Sequence, residues 1–168
     1  MKIPSLVEFY GDTSSVLRSD LLASKPNEGC SLLIGDHKPS SDKNALVIFR
    51  IAFIWPCCNI WETQSDEFTQ NLKESSQCFF TNASKRNRFL VDPREQIHAQ
   101  KWARDKNMYV LGSAHLHFNG PLIPSRIDQK MAFSEGLMII MNSSLELRVW
   151  WLKPNEDFSP IEVAYLTG

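Results

Sequence analysis

His115, His117, Ser125 and Asp128 fall within one stretch, GSAHLHFNGPLIPSRID, running from Gly112 to Asp128. The stretch follows an apolar run, Met108 to Leu111, that reads as a buried strand. Side chains alternate sides along a strand, so His115 and His117 point to one face. Asp128, three residues after Ser125 and just past Pro124, sits one turn along a helix that begins near Ser125. Two imidazoles and a carboxylate, with a fourth position left for water, make the donor set of a catalytic zinc site, and zinc accepts that mixture of nitrogen and oxygen. Plainer readings stand beside this one. The histidines can satisfy one another in a core, and Asp128 can be the acid of a helix capped by Ser125. The capping reading is compatible with ligation, because a cap also fixes where the carboxylate points.

A catalytic zinc needs a nearby base that takes a proton from its water and returns it to the leaving amine. The stretch itself supplies none. Glu28, at the mouth of a short strand EGCSLLIG from Glu28 to Gly35, is the best candidate, with Glu8 as rival; a solvated acid at a strand start is its bland alternative. Ser125 is suited to donate a hydrogen bond to a developing oxyanion, and no paired base in the motif makes it a covalent attacker.

These residues must be positioned by the elements around them. Residues 1 to 12 read as irregular or as a short edge strand. Thr13 to Ser24 has helical spacing, with Thr13 or Ser14 as N-cap. His37 to Asn44 is a polar turn. Ala45 to Trp55 is a β-branched and aromatic run that suggests a strand covered on both faces. Residues 56 to 88 carry no clear period and are expected to hold a variable or mobile insertion, with a short helix near Glu67 to Lys73. Arg88 to Val91 resumes as a strand. Asp92-Pro93-Arg94-Glu95 then supplies an N-cap, a first-position proline and a glutamate placed to close a capping box; the helix runs to about Lys106, where Asn107 suits a left-handed cap. Met108 to His117 is the ligand strand and Ser125 to Phe133 a helix. Leu137 to Met141 and Leu145 to Leu152 form a hairpin, and Ile161 to Leu166 adds a last strand. Strands mixed with three helices in no regular βαβ order imply one α/β or α+β domain over residues 1 to 168.

Composition excludes several function classes. Basic and acidic residues number 18 and 19, for a net charge of -1, so there is no basic excess for nucleic acid to meet. The strongest apolar run is too short for a bilayer and carries Arg50, which argues against membrane insertion. The first residues lack the apolar core of a secretory signal. Cys30, Cys57, Cys58 and Cys78 form no CxxC pair, and read as small buried thiols in a reducing cytoplasm.

His115-Leu116-His117, seven residues, Ser125, two residues and Asp128 resemble the JAMM signature of the MPN-domain metallopeptidases. EGCSLLIG resembles that family's glutamate-led strand. Arg88 to Arg104 is similar to the strand and helix before the motif in short bacterial members, and Leu147 to Leu152 to their closing strand. The resemblance implies a cytidine-deaminase-like α/β sandwich, a curved mixed sheet flanked by helices. It implies His115, His117 and Asp128 as Zn2+ ligands, water in the fourth position, Glu28 as general acid and base, and Ser125 assisting the tetrahedral intermediate. The activity implied is hydrolysis of amide or isopeptide bonds at the C-terminal tail of a ubiquitin-like or sulfur-carrier protein. Where members commonly read HSHP, this chain has Leu116 and Phe118 in place of the serine and proline. The competing expectation is a catalytically weak or inactive MPN-like interaction module; a zinc deaminase is disfavoured, since that class uses a PCxxC motif and here only Pro56-Cys57-Cys58 occurs.

Overall fold

The structure, a computed structural model, describes residues 2–38, 46–61, 84–130, 132, 134–154 and 156–166. The described elements are β1 (Leu6–Tyr10), α1 (Thr13–Ala23), β2 (Cys30–Lys38), β3 (Ile48–Cys57), α2 (Pro93–Asp105), β4 (Tyr109–His117), α3 (Arg126–Lys130), β5 (Gly136–Asn142), β6 (Leu147–Leu152) and β7 (Ser159–Leu166). The strands form one mixed sheet that closes into a barrel in the order β1-β3-β2-β4-β5-β6-β7. The α/β mixture matches the expectation; closure of the sheet into a barrel is the new feature. It also corrects the reading of the first residues, because β1 is no edge. It pairs in parallel with β3 on one side and β7 on the other.

The main core lies on one face of this sheet. Leu17 and Leu21 of α1 pack there against Leu33, Phe49, Leu116 and Trp151, all at most 1% exposed. Burying one such side chain contributes about 1.5–3 kcal/mol, so the helix is held by its two leucines rather than by its cap. Indeed the N-cap is Asp12, not Thr13 or Ser14, and makes no side-chain capping bond. Thr13 instead donates its hydroxyl to the Tyr10 carbonyl at 2.9 Å. A short polar contact crosses this layer: the Ser31 hydroxyl donates to Asp20 of α1 at 2.6 Å.

Two smaller apolar layers cover the other face. Ala99 and Ala103 of α2 pack on Leu32 and Ile34 of β2. Leu122 and Ala132 pack on Met138, Ile140, Trp150 and Leu152 of β5 and β6, where the Trp150 indole donates to the Leu122 carbonyl at 2.9 Å. The sides of β5 thus alternate between two apolar layers, and both are buried.

Three further expectations are corrected. β3 is not covered on both faces, since Phe53 is 45% exposed on the outside of the barrel. Arg88 to Val91 forms no strand; only an isolated bridge joins Val91 to Asn59. Glu95 does not close a capping box. Asp92 caps α2 alone, accepting from the Arg94 backbone N–H at 2.8 Å, and Glu95 accepts from the Trp55 indole at 3.0 Å. The expected left-handed cap is present at Asn107, with φ 55°. The helix placed near Glu67 to Lys73 and most of the expected insertion lie outside the described residues, as do most of the turn after His37 and one cysteine, Cys78. His37 itself continues β2.

Candidate metal centre

A register shift in β4 decides which way its histidines face. Leu33 of β2 pairs with Gly112 and the next residue, Ile34, with Val110, so Leu111 is an extra residue in β4. One extra residue resets the alternation of sides. Leu111 therefore joins the main core together with Ala114 and Leu116, while His115 and His117 turn to the opposite face. Gly112, with φ 158°, makes the bulge sterically possible: a Cβ there would lie 1.9 Å from the Leu137 carbonyl oxygen. Leu116, one departure from the family pattern, is wholly within the core. Phe118, the other, packs against the same core, with the Lys25 ammonium 5.4 Å above its ring.

On the outward face the three expected ligands meet. His115 Nε2 lies 2.8 Å from His117 Nε2, 3.7 Å separates His115 Nε2 from Asp128 Oδ1, and 3.8 Å separates His117 Nε2 from Asp128 Oδ2. Tetrahedral zinc with bonds of about 2.0–2.1 Å spaces its ligand atoms about 3.3 Å apart, a value these three distances bracket. Among the described residues this is the one grouping of at least three metal-capable side chains.

Outer contacts orient two of the three. Nδ1 of His117 is 2.7 Å from the Pro121 carbonyl, which can only accept, so the ring hydrogen sits on Nδ1 and the Nε2 lone pair faces the site. The Asp128 carboxylate accepts from the Ser125 backbone N–H at 2.6 Å through Oδ2, and the Asp128 N–H donates to Ser125 Oγ at 3.2 Å. Ser125 is therefore the N-cap of α3 and Asp128 its third residue, a reciprocal box that directs the carboxylate. His115 has no such outer partner for Nδ1 among the described residues; the Phe89 ring, stacked at 4.3 Å, covers it instead.

Burial sets the charges. His115 is fully buried and its pKa falls to about 4, chiefly by desolvation, with Asp128 opposing the shift. The imidazole is thus neutral at pH 7, as a metal ligand must be. The His115 and His117 Nε2 atoms, 2.8 Å apart, need a hydrogen between them or a cation against them. Two imidazole nitrogens, a carboxylate oxygen and their spacing together fit zinc.

Glu28 stands two residues before β2. Cys30 pairs with His115 and Leu116 N–H donates to the Gly29 carbonyl at 3.1 Å, so the antiparallel register carried one step further sets Glu28 opposite His117. Glu28 is buried, 6% exposed. Desolvation, then the negative charge of Asp128, push its pKa up to about 8 against the pull of Arg88. Glu28, His117, Ser125 and Asp128 line one cavity of about 840 Å³. The rival, Glu8, is held elsewhere by Arg50 at 3.1 Å.

No pattern in the sequence singles out Asn59, which ties this corner together. Its amide donates to the carbonyls of Glu28 at 3.0 Å and Arg88 at 2.8 Å, and its Oδ1 accepts from the backbone N–H groups of Trp61 at 3.1 Å and Leu90 at 3.2 Å. No motif marks an asparagine used this way. The Pro121 carbonyl was equally hidden, being backbone.

The fold is an α/β barrel whose β4 carries His-x-His beside a Ser-capped aspartate, three side chains able to hold a metal. The chain belongs to the prokaryotic homologs of the JAB domain, whose family model matches residues 12–153. It is similar in fold to the solution structure of a Desulfitobacterium hafniense protein, with TM-score 0.70 and 19% identity over 96% of this chain and 94% of that one. A Salinibacter ruber protein is similar at TM-score 0.58 and 19% identity, over 95% and 91%. No curated protein matches the sequence. No described helix is long and apolar enough to cross a membrane.

Proposed function

We propose that the chain is a zinc-dependent hydrolase of amide bonds, acting at the C-terminal tail of a ubiquitin-like or sulfur-carrier protein. The observation that supports this reading best is the convergence of His115, His117 and Asp128 beside a buried Glu28, with Glu28, His117 and Asp128 lining one cavity. Zinc held by those three residues would supply Lewis acidity, polarising a carbonyl and making water acidic near neutral pH.

The chain's own groups perform the rest. Glu28 takes the proton of the attacking water and returns it to the leaving amine, the work of a buried carboxyl group beside the ligand cluster. Ser125 accepts the Asp128 N–H with an oxygen lone pair, which leaves its hydroxyl hydrogen to be donated to the developing oxyanion. The Pro121 carbonyl keeps the His117 ring in one tautomer.

The test is elemental analysis of the purified chain beside His117→Ala, followed by turnover of tail fusions by the parent and Glu28→Gln. About one zinc per chain, lost in His117→Ala, with turnover that disappears in Glu28→Gln, is the expected result. Zinc without turnover on any tail would instead favour an inactive MPN-like interaction module.

A further inference from the structure

The cavity beside the metal centre has two unlike walls. β4 lies between β2 and β5 in the sheet, and its outward residues, Ser113 and His117, form the floor. On the β2 side stand the 84–91 segment and α2, which present Arg86, Arg88, Gln96 and Gln100. On the β5 side the 118–124 loop, α3 and β5 present Ile123, Pro124, Ile127 and Met138. The cavity's cations, Arg86 and Arg88, lie on the first side, among apolar neighbours such as Phe89 and Leu90; the second side is apolar at Ile123, Pro124, Ile127 and Met138 and also carries Asn119 and Glu135.

Arg88 is the unusual member. Its Nε is buried and has no hydrogen-bond partner among the described residues, although its Nη1 donates to the adjacent Asn87 carbonyl. Glu28 is near enough for the two charges to interact but does not bond that Nε. A buried guanidinium donor left unpaired is costly, and an anionic acceptor is what relieves it. The segment is also held in place in advance. Asn59 bonds the Arg88 carbonyl and the Leu90 N–H, and the Glu28 N–H donates to the Lys85 carbonyl at 2.6 Å. Ordering a loop on binding would cost affinity; here that ordering is already present.

We propose that Arg88, with Arg86 beside it, binds a carboxylate of the substrate chain, while an apolar substrate side chain rests on the opposite wall. The assignment rests on the hydrolase reading of the same site for its cleavage step, but not for binding. The planar fork of arginine suits a carboxylate, which is acceptor-only and offers two oxygens. That carboxylate has two sources, an acidic side chain in the tail or a free C-terminus.

Four fluorescent peptides of one apolar-containing sequence separate these sources: internal Glu or Gln, each with a free or an amidated C-terminus. Binding to the zinc-loaded full chain is read by anisotropy, and cleavage by chromatography. The expected result is a preference of about tenfold or more for the peptides bearing the recognised carboxylate. That preference collapses in Arg88→Gln, while zinc content and binding of the Gln amide stay as in the parent. Arg88→Lys, which keeps the charge and loses the fork, retains part of it and remains informative if the Gln variant does not fold.

Preference for the Glu peptides assigns the side chain, and preference for free over amidated ends assigns the terminus. Equal binding of all four peptides, or a preference untouched by both variants, would overturn the role of Arg88. Carboxylate preference without cleavage overturns the hydrolase reading alone, and cleavage without preference overturns Arg88 alone.

Discussion

Ser125 and Asp128 hold each other in place: the Ser125 N–H donates to the Asp128 carboxylate at 2.6 Å, and the Asp128 N–H donates to the Ser125 hydroxyl oxygen at 3.2 Å. The same pair starts α3 and aims a ligand at two histidines, so the two residues are expected to fail differently. Asp128→Asn removes the anionic donor and should reduce zinc occupancy at least tenfold at limiting metal. Ser125→Ala keeps all three ligand atoms and should keep zinc, while losing about 1 kcal/mol of stability with the cap and turnover with the hydroxyl. Zinc titration and thermal melts of both variants make the comparison; equal zinc affinity in parent and Asp128→Asn would remove Asp128 from the ligand set.

Glu28 makes the metal-free chain sensitive to pH in an unusual direction. Its folded pKa, about 8, lies above the ordinary 4.5, so the folded state keeps a proton that the unfolded chain gives up. The unfolded state binds fewer protons through that window, and stability therefore falls as pH rises from about 4.5 to about 8. Glu28→Gln, neutral throughout, should stabilise the metal-free chain at pH 8 by about 1–3 kcal/mol and by almost nothing at pH 5. Zinc would shrink the difference, because a cation nearby favours the carboxylate. A gain in melting temperature that is the same at both pH values would separate Glu28 from the effect.

Asn59 is expected to matter more than its surroundings suggest. Its two amide hydrogens serve the carbonyls of Glu28 and Arg88, and its oxygen serves the N–H groups of Trp61 and Leu90. Asn59→Ala leaves these groups without their partner and should cost about 2–4 kcal/mol. Asn59→Asp keeps one acceptor but sets a carboxylate oxygen against the Glu28 and Arg88 carbonyls, so it should cost at least as much as Asn59→Ala. Both variants should retain zinc, since no ligand depends on Asn59, and lose turnover as the strand mouth bearing Glu28 loosens. Melting temperature, zinc content and turnover measured on the same samples check this; unchanged melting in both variants would count against a structural hub.

Local chemistry was legible in the sequence where residues lie close together along the chain. The alternation of β4 placed His115 and His117 on one face, and the Ser125–Asp128 spacing foretold the reciprocal cap. Asp92 and Pro93 marked the start of α2. What depended on distant partners was not legible. Leu6–Tyr10 looks like an edge until β7, at the far end of the described chain, arrives to close the barrel. Glu95 looks like a capping residue until the Trp55 indole competes for its carboxylate. Phe53 looks buried because aromatic runs usually are, but it lies on the face of β3 turned from the main core, with Trp102 of α2 edge-on at 5.1 Å, and stays 45% exposed.

Gly29, between Glu28 and β2, marks where α1 meets the strand mouth. A Cβ on it would lie 2.4 Å from the Leu21 carbonyl oxygen and 2.9 Å from the Leu21 Cα. Both are backbone atoms, so no side-chain rotation relieves the contact, and Leu21 is itself fully buried. Gly29→Ala must therefore push α1 and the strand apart, breaking the line that runs from Glu28 to the Gly29 carbonyl bonded to Leu116. The expected cost is about 2–4 kcal/mol together with a fall in turnover. Gly11 supplies the control. Its φ is +57° and a Cβ there meets nothing within 4 Å, so Gly11→Ala should cost only the left-handed strain of about 1–2 kcal/mol and leave turnover intact. Melts and turnover of the two variants side by side decide the matter: a Gly29→Ala protein no less stable and no less active than Gly11→Ala would mean that α1 does not clamp the residue preceding the strand.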